Sequence, residues 1–545
     1  MAASLRTDAK ELSDGRVHAT VSAVLIALLL VVGLARPGLV SAQEVDGPVY
    51  KRGNWGDVES LDPHQGFTIA EFLVLQDLFE GLTAYDAAGR IVAGAAESWT
   101  VSDDGLRYRF RLREGARWSD GEPVLAQDFA RSFARALDPA TAAPYATRLF
   151  PIRNAEAIAA GERALAELGV ETPGPHDLVV TLERPTPYIL ESLAHMAAMP
   201  VRADAPAGAV VSNGPYRFVS RRPGDMIVLE RNPHFHAVDD VAIGQVHYLP
   251  FADADACARQ FQAGDVHSCA TVPAGQFDAL KARLGDEVRA VPSLTTVYLT
   301  LNLAVPPLDD ARVRRALSLV IDRDFLAREI WPGAASPLQA WLPPGVDNYA
   351  DVLTAAPRLA DAELSMLERE DAALALMREA GYGPDRRVPL RLAIFADDTI
   401  RRTAVAVADM WRVLGIEVNL ESRDFASHFG MLRGARDFDV AFTGWIADSA
   451  DPRDFLALGL SDNTAANYGG YTNPDFDALV RESDAQTDPR TRAQLLAEAE
   501  TILLTDLPNI PLLTAMARAL VSPRLDGWVD NARQFHPSRY LSLPD

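Results

Sequence analysis

The sequence predicts a mixed α/β protein of several lobes, and three observations carry that expectation. Its 545 residues exceed what one hydrophobic core usually supports, so two or three domains sharing one fold unit are expected. Composition is that of a globular chain, with 48% apolar and 23% charged residues. Beyond residue 200, β-type runs alternate with helical ones, and no repeat or low-complexity linker interrupts them.

Val21 to Ala35 is an apolar run preceded by Arg6, Lys10 and Arg16 and followed by the small residues Val40-Ser41-Ala42. That pattern predicts an export signal over 1–42, cleaved to leave Gln43 first. An uncleaved anchor is the alternative, although the run is shorter than the roughly 20 residues that span a bilayer. Neither of the two cysteines, Cys257 and Cys269, lies near the cleavage site, so a soluble exported protein without a lipid anchor is expected. Around Ala263-Gly264-Asp265 these two either pair across a helix-to-strand connection or stand as buried thiols.

Next, Val49 to Trp55 reads as a strand ending in the turn Ser60-Leu61-Asp62-Pro63-His64. Ile69, Phe72, Leu73, Leu75, Leu78, Phe79 and Leu82 recur at helical spacing, with Gly81 near a natural stop. Leu106 to Leu112 alternates as a half-buried strand whose Arg107, Arg109 and Arg111 form a solvated face. Ala126, Phe129, Ala130, Phe133 and Leu137 make one helical stripe. Strands are expected at Met226–Glu230, Val246–Leu249, Val266–Thr271 and Val297–Asn302, and helices at Asp253–Gln262, Asp310–Ile321 and Ala373–Ala380. Leu390–Ile394, a helix through Thr403–Leu414 and Glu417–Leu420 read as a βαβ-like unit.

The formal charge of -23 repels phosphate backbones, so nucleic acid is not an expected partner. No Gly-x-Ser-x-Gly elbow, Walker A loop, dinucleotide glycine motif or His-Glu-x-x-His helix is present. His234 and His236 read as polar turn residues after Asn232-Pro233 rather than metal ligands, and no cofactor or metal is expected.

A series of blocks in order, "ESLDPHQ" (59–65), "DLFEGL" (77–82), "AESWTVSDDGLRYRFRLREGARWSDGEPVLAQDF" (96–129), "DPATAAPYA" (138–146), "SNGPYRF" (212–218), "IVLERNPHF" (227–235), "DDARVRRALSLVIDRD" (309–324), "MREAGY" (377–382), "FDVAFTGWIADSADP" (438–452) and "NPDFDALV" (473–480), resembles the oligopeptide-binding proteins of ABC importers, in the peptide and nickel group of solute-binding proteins. The resemblance implies an α/β fold of the type II periplasmic binding protein kind, with two ligand-binding lobes joined by two hinge strands plus an extra domain. Lobe I would be 43–79, 200–295 and 517–545; the extra domain II, 80–199; lobe III, 296–516. It also implies a periplasmic, monomeric binding protein, not an enzyme, that hands a peptide or peptide-like ligand to an inner-membrane permease.

Affinity for varied peptides must come from their backbone amides and charged termini. By resemblance, Phe67 to Ile69 and Thr443, Gly444, Trp445 and Ile446 flank an extended ligand, and Asp448 receives its α-ammonium, which needs a carboxylate partner once enclosed. Phe442 and Ile400 stand where the family carries an Arg and a His, so by resemblance either Arg433, Arg401 or Arg402 meets the ligand carboxylate or the ligand lacks a free one in the usual place. Trp445, Phe425 and Tyr298 are expected cleft aromatics. The family's disulfide is expected to be absent, because Ser293 or its neighbour and Ile446 occupy its positions. Other readings are an exported hydrolase of peptides or cell-wall fragments, a sensory partner of a membrane receptor, and a binder of murein peptides, nickel complexes or other amine-bearing solutes.

Overall fold

The computed structural model describes residues 47–544 except 207, 347, 348, 350, 351 and 354, so the expected export signal at 1–42 lies outside the described residues. The main sheet is eleven-stranded among the described residues. Its strands are β1 (Val49–Asn54), β2 (Tyr216–Arg222), β3 (Met226–Arg231), β4 (Gln245–Pro250), β5 (Ser268–Cys269), β6 (Val288–Leu301), β7 (Ala335–Pro337), β8 (Val388–Phe395), β9 (Ile416–Arg423), β10 (Val440–Ile446) and β11 (Asn509–Val521). They run in the order β9-β8-β10-β6-β11-β5-β1-β4-β3-β2, with β7 pairing to β11 off this path.

β6 and β11 are the longest of these strands, 14 and 13 residues, and join the two halves. They pair antiparallel from Val288 to Pro292 and again from Thr296, with a register break between. A break in a two-stranded connection loosens the ladder and bends it, so these are the two expected hinge strands. On one side β11 meets β5, which lies between Val521-Leu520 and the β1 residues Arg52-Gly53. On the other side β6 meets β10, followed by the parallel β8–β9 pair of the expected βαβ unit.

A second, antiparallel sheet comprises Ala96–Val101, Arg107–Leu112, Asp177–Thr181 and Val170–Gly174. Tyr108, Phe110 and Leu112 point inward, while Arg107 and Arg109 face solvent and Arg111 pairs with Asp177 at 3.1 Å. The alternation therefore reads as expected.

Helix α1 (Ile69–Leu78) is shorter than its apolar spacing suggests, because the chain turns extended at Phe79. Asn213 fixes that exit: its amide donates to the Glu80 carbonyl at 2.8 Å and its Oδ1 accepts the Glu80 N–H at 3.0 Å. Gly214 lies so close that a Cβ there would come within 2.7 Å of the Leu78 carbonyl. The stripe at 126–137 forms α2 (Ala126–Leu137) as expected. Asp253 caps α3 (Ala254–Ala263), which ends on Gly264 at φ 80°. Cys257 on α3 is bonded to Cys269 on β5, with Cα atoms 6.0 Å apart, which settles the open pairing question. The expected strand at 266–271 is confined to Ser268–Cys269. The helix expected at 373–380 begins earlier, as Met366–Glu379, because Ser365 and Glu368 form a capping box. His236 lies 2.8 Å from the buried Glu80 carboxylate, and His234 follows the Asn232 turn.

Three of the five hydrophobic clusters among the described residues account for most of the packing of these layers. One packs α1 and α2 with the second sheet and β2–β4 through Leu75, Phe110, Phe133 and Leu229; a second surrounds Leu299, Leu392, Trp411 and Val440; a third surrounds Tyr298, Trp341, Phe455 and Leu503.

Candidate ligand cleft

Glu71 builds the first wall. Nearly inaccessible within α1, its carboxylate accepts the N–H groups of Glu59, Ser60, Phe67 and Thr68 at 2.9–3.2 Å, besides the Thr68 hydroxyl. Burial works against its charge, but the Phe67, Thr68 and Ser60 donors outweigh it and hold the carboxyl below its usual range. The loop before α1, which carries the expected ligand-flanking residues Phe67 to Ile69, is thereby fixed. Ile69 is the first helical residue, and the Phe67 and Thr68 N–H groups are already engaged. The Phe67 carbonyl accepts the Tyr145 hydroxyl at 3.0 Å.

The second wall is the tip of β10. β8 pairs with β10 only at Val440 and Ala441, so the edge facing β8 carries no strand partner beyond them among the described residues. On its other edge, Thr443 to Ile446 pair with Tyr298 to Thr295 of β6. Gly444 and Ile446 are exposed, Ile446 at 77%, while Thr443 is buried. Trp445 is half-buried, its indole N–H donating to Asp454 at 2.7 Å. Asp454 also accepts the Ser449 N–H at 2.8 Å, bracing the loop that carries Asp448. Burial, aided by the Asp448 charge, pushes the Asp454 carboxyl up to about 6 despite these donors.

Asp448 itself is open, its side chain 73% accessible and 3.6 Å from Arg148. The Arg148 guanidinium makes its close bond, 2.6 Å, to the Asp448 carbonyl instead. Ile69, Ile446 and Asp448 share a cavity of ≈ 350 Å³ with Tyr145, Arg148 and Arg533. An adjoining cavity of ≈ 740 Å³ takes in Trp445 and Asp448.

Several expected site residues lie elsewhere. Tyr298 is 2% accessible and packs edge-on against Trp341, a core position imposed by the inward phase of β6. Phe442 and Ile400 are likewise core residues. Arg401 pairs with Asp398 on the surface, Arg402 reaches toward the Ile330 carbonyl, and Arg433 lies over the Phe429 ring. None of these three lines a described cavity with Asp448. Phe425 is exposed at 64% and lies edge-on to Phe395 and tilted against Phe429. Sequence reasoning missed Tyr145, Arg148, Glu191 and Arg533. Glu191 bonds Arg533 and accepts the Ala450 N–H at 3.1 Å, joining three remote segments, and no local pattern marks such a meeting.

Among the described residues no group of three or more His, Cys, Asp or Glu could hold a metal ion, and no helix is long and apolar enough to cross a membrane.

Comparison with known proteins fits this geometry. The Salmonella typhimurium "Periplasmic oligopeptide-binding protein OppA" is 35% identical over 503 residues, covering 89% of this chain and 90% of that protein. The unliganded open form of the periplasmic murein tripeptide-binding protein MppA superposes with TM-score 0.87 at 28% identity, covering 91% and 98% of the two chains. Haemophilus influenzae OppA in complex with RPPGFSPFR gives TM-score 0.65 at 30% identity, covering 91% and 99%. With residues 90–467 matching the model "Bacterial extracellular solute-binding proteins, family 5 Middle", and with two halves joined by paired hinge strands, the chain belongs to that family of solute-binding proteins.

Proposed function

We propose that this chain captures oligopeptides or peptide-like ligands in the periplasm and delivers them to an inner-membrane ABC permease. One observation carries the peptide reading: the unpartnered edge of β10 at Gly444–Ile446 ends two residues before the open Asp448 carboxylate. An edge strand offers backbone N–H and C=O groups to any extended chain, and a carboxylate at its end receives an α-ammonium. Ligand side chains then face the cavities beside Trp445 and Ile446.

The lobes we assign are 43–79, 200–295 and 517–545 for the first, 80–199 for the extra domain and 296–516 for the third, with the protein acting as a monomer. The register break in β6–β11 supports rigid-body closure about those strands, and the likeness to an unliganded open form supports an open resting state. A periplasmic location is supported by the names of the relatives and by the Cys257–Cys269 bond, which persists in oxidising compartments.

Native mass spectrometry of the purified protein, followed by denaturing release of its ligand, tests the reading. Short peptides with free N-termini are expected. A single non-peptide species would overturn the peptide assignment, and release of cleaved products from added peptide would replace a binder with a hydrolase.

A further inference from the structure

A second cavity, ≈ 270 Å³, opens beside the one that holds Asp448, and the two share Ile69, Arg533 and Gln534. Four arginines line it, Arg52, Arg289, Arg518 and Arg533, and Asp530 is the sole carboxylate among its described lining residues. On a chain of net charge -23 such a concentration of cations is unexpected by composition alone. Two of the four are already committed: Arg533 pairs with Glu191, and Arg52 donates to the His536 carbonyl at 3.1 Å. Arg289 reaches Asp530 only at 3.6 Å and keeps its Nε without a hydrogen-bond partner. Arg518 makes a ring contact with Phe277 at 5.9 Å, has no ion pair among the described residues and leaves its Nη1 unpartnered. Burial holds the Arg518 guanidinium below its ordinary value, with no counter-charge to restore it. Half-buried arginines with unmet donors are poised for an anion that completes them.

We infer that the Arg289–Arg518 cavity receives a carboxylate of the bound ligand. This rests on the peptide reading above and supplies the partner for the end of the ligand opposite Asp448. The hinge strands set the spacing. Ala447 donates to the Leu294 carbonyl, which places Asp448 beside Leu294, whereas Arg518 pairs with Ala290 on the same strand. Four residues of strand span about 13 Å at about 3.3 Å each. An extended ligand covering that distance has about three to five residues between its ammonium and the carboxylate. The carboxylate is either the C-terminus of such a peptide or an acidic side chain at about the third to fifth position of a longer one.

Calorimetry on the full-length mature protein, unfolded and refolded to strip bound ligand, separates these sources. The probes are alanine peptides of two to six residues, each as free acid and as C-terminal amide, and amidated hexapeptides carrying Glu or Gln at each position. A tenfold or greater preference for the free acid at three to five residues supports a C-terminal source. Equal binding of acids and amides, with a tenfold preference for Glu over Gln at the third to fifth position, supports a side-chain source. In either case Arg518→Gln and Arg289→Gln should each cut the preference to threefold or less. Both variants should still prefer a free N-terminus to an acetylated one, which shows that the fold and the Asp448 end are intact. A carboxylate preference that survives in both variants, or no such preference in the wild type, overturns the inference while leaving peptide binding standing. If no peptide binds the wild type, the peptide reading falls and the carboxylate site falls with it.

Discussion

The two walls of the cleft differ in charge and in origin. The β10 wall comes from one contiguous stretch and presents the open carboxylate of Asp448 beside exposed Ile446. The opposite wall draws Arg52, Arg289, Arg518 and Arg533 from β1, β6, β11 and the C-terminal segment. One wall is acidic at its tip and the other basic in its depth, so on the proposed reading a ligand with an ammonium at one end and a carboxylate beyond would be oriented before any side chain is read. Buried Glu71 and half-buried Asp454 serve neither charge directly. They hold backbone and indole N–H groups and thereby fix the loops on which the walls stand.

The largest way to break this contrast is to remove the support of one wall. Glu71→Ala leaves the N–H groups of Glu59, Ser60, Phe67 and Thr68 without their acceptor, and should destabilise the protein by about 3 kcal/mol in urea titration. Peptide affinity should fall with it. If stability is unchanged, the carboxylate is not what fixes that loop. Next in size, Cys257→Ser with Cys269→Ser releases the brace on β5 behind the basic wall. Closing a short loop of this kind contributes about 3 kcal/mol or slightly less, so the melting temperature should drop while the preference for a free N-terminus persists.

Asp448→Asn tests the acidic tip itself. Affinity for peptides with a free N-terminus should fall ten- to hundredfold, about 1.4 to 2.7 kcal/mol, whereas acetylated peptides should bind the variant and the wild type alike. Because Asp448 is exposed, its melting temperature should hardly move. An equal loss for both ligand types would mean that Asp448 shapes the loop rather than meeting the ammonium.

A last test reads pH and concerns the core behind the β10 wall. Glu500 accepts the Trp341 and Leu342 N–H groups and the Tyr349 hydroxyl, and burial pushes its carboxyl up to about 7 in spite of them. A raised carboxyl means that the folded state keeps a proton the unfolded chain releases near its ordinary value of 4.5. This group's contribution is therefore complete below about pH 4.5, declines as pH rises toward about 7 and is flat above. Glu500→Gln should remove that decline, read as the difference between the two melting-temperature profiles from pH 4 to 8. Parallel profiles would show that the carboxyl is not raised.

Much of the fold was legible because local chemistry dictates it. The alternation at 107–112 put Tyr108, Phe110 and Leu112 inside, and Asp253, Asp310 and Gly264 mark helix ends where caps are needed. Within the site, the β10 segment and the place of Asp448 just beyond it were legible as one continuous motif. The phase of β6 was another matter. Tyr298 reads equally well as a cleft aromatic or a core one, and only the pairing of β6 with β10 and β11 turned it onto Trp341. α1 shows the same limit, since its apolar spacing continues to Leu82 while Asn213, more than 130 residues away in sequence, ends it at Leu78.

By itself, then, the sequence determined much of the strand and helix content and the family pattern, because each is written in neighbouring residues. Only the tertiary structure decided that Cys257 meets Cys269, that Glu191 joins Arg533 to the Ala450 loop, and that Arg289 and Arg518 share a cavity. These are meetings of distant segments, set by sheet order and hinge register, and periodicity along the chain carries no record of them.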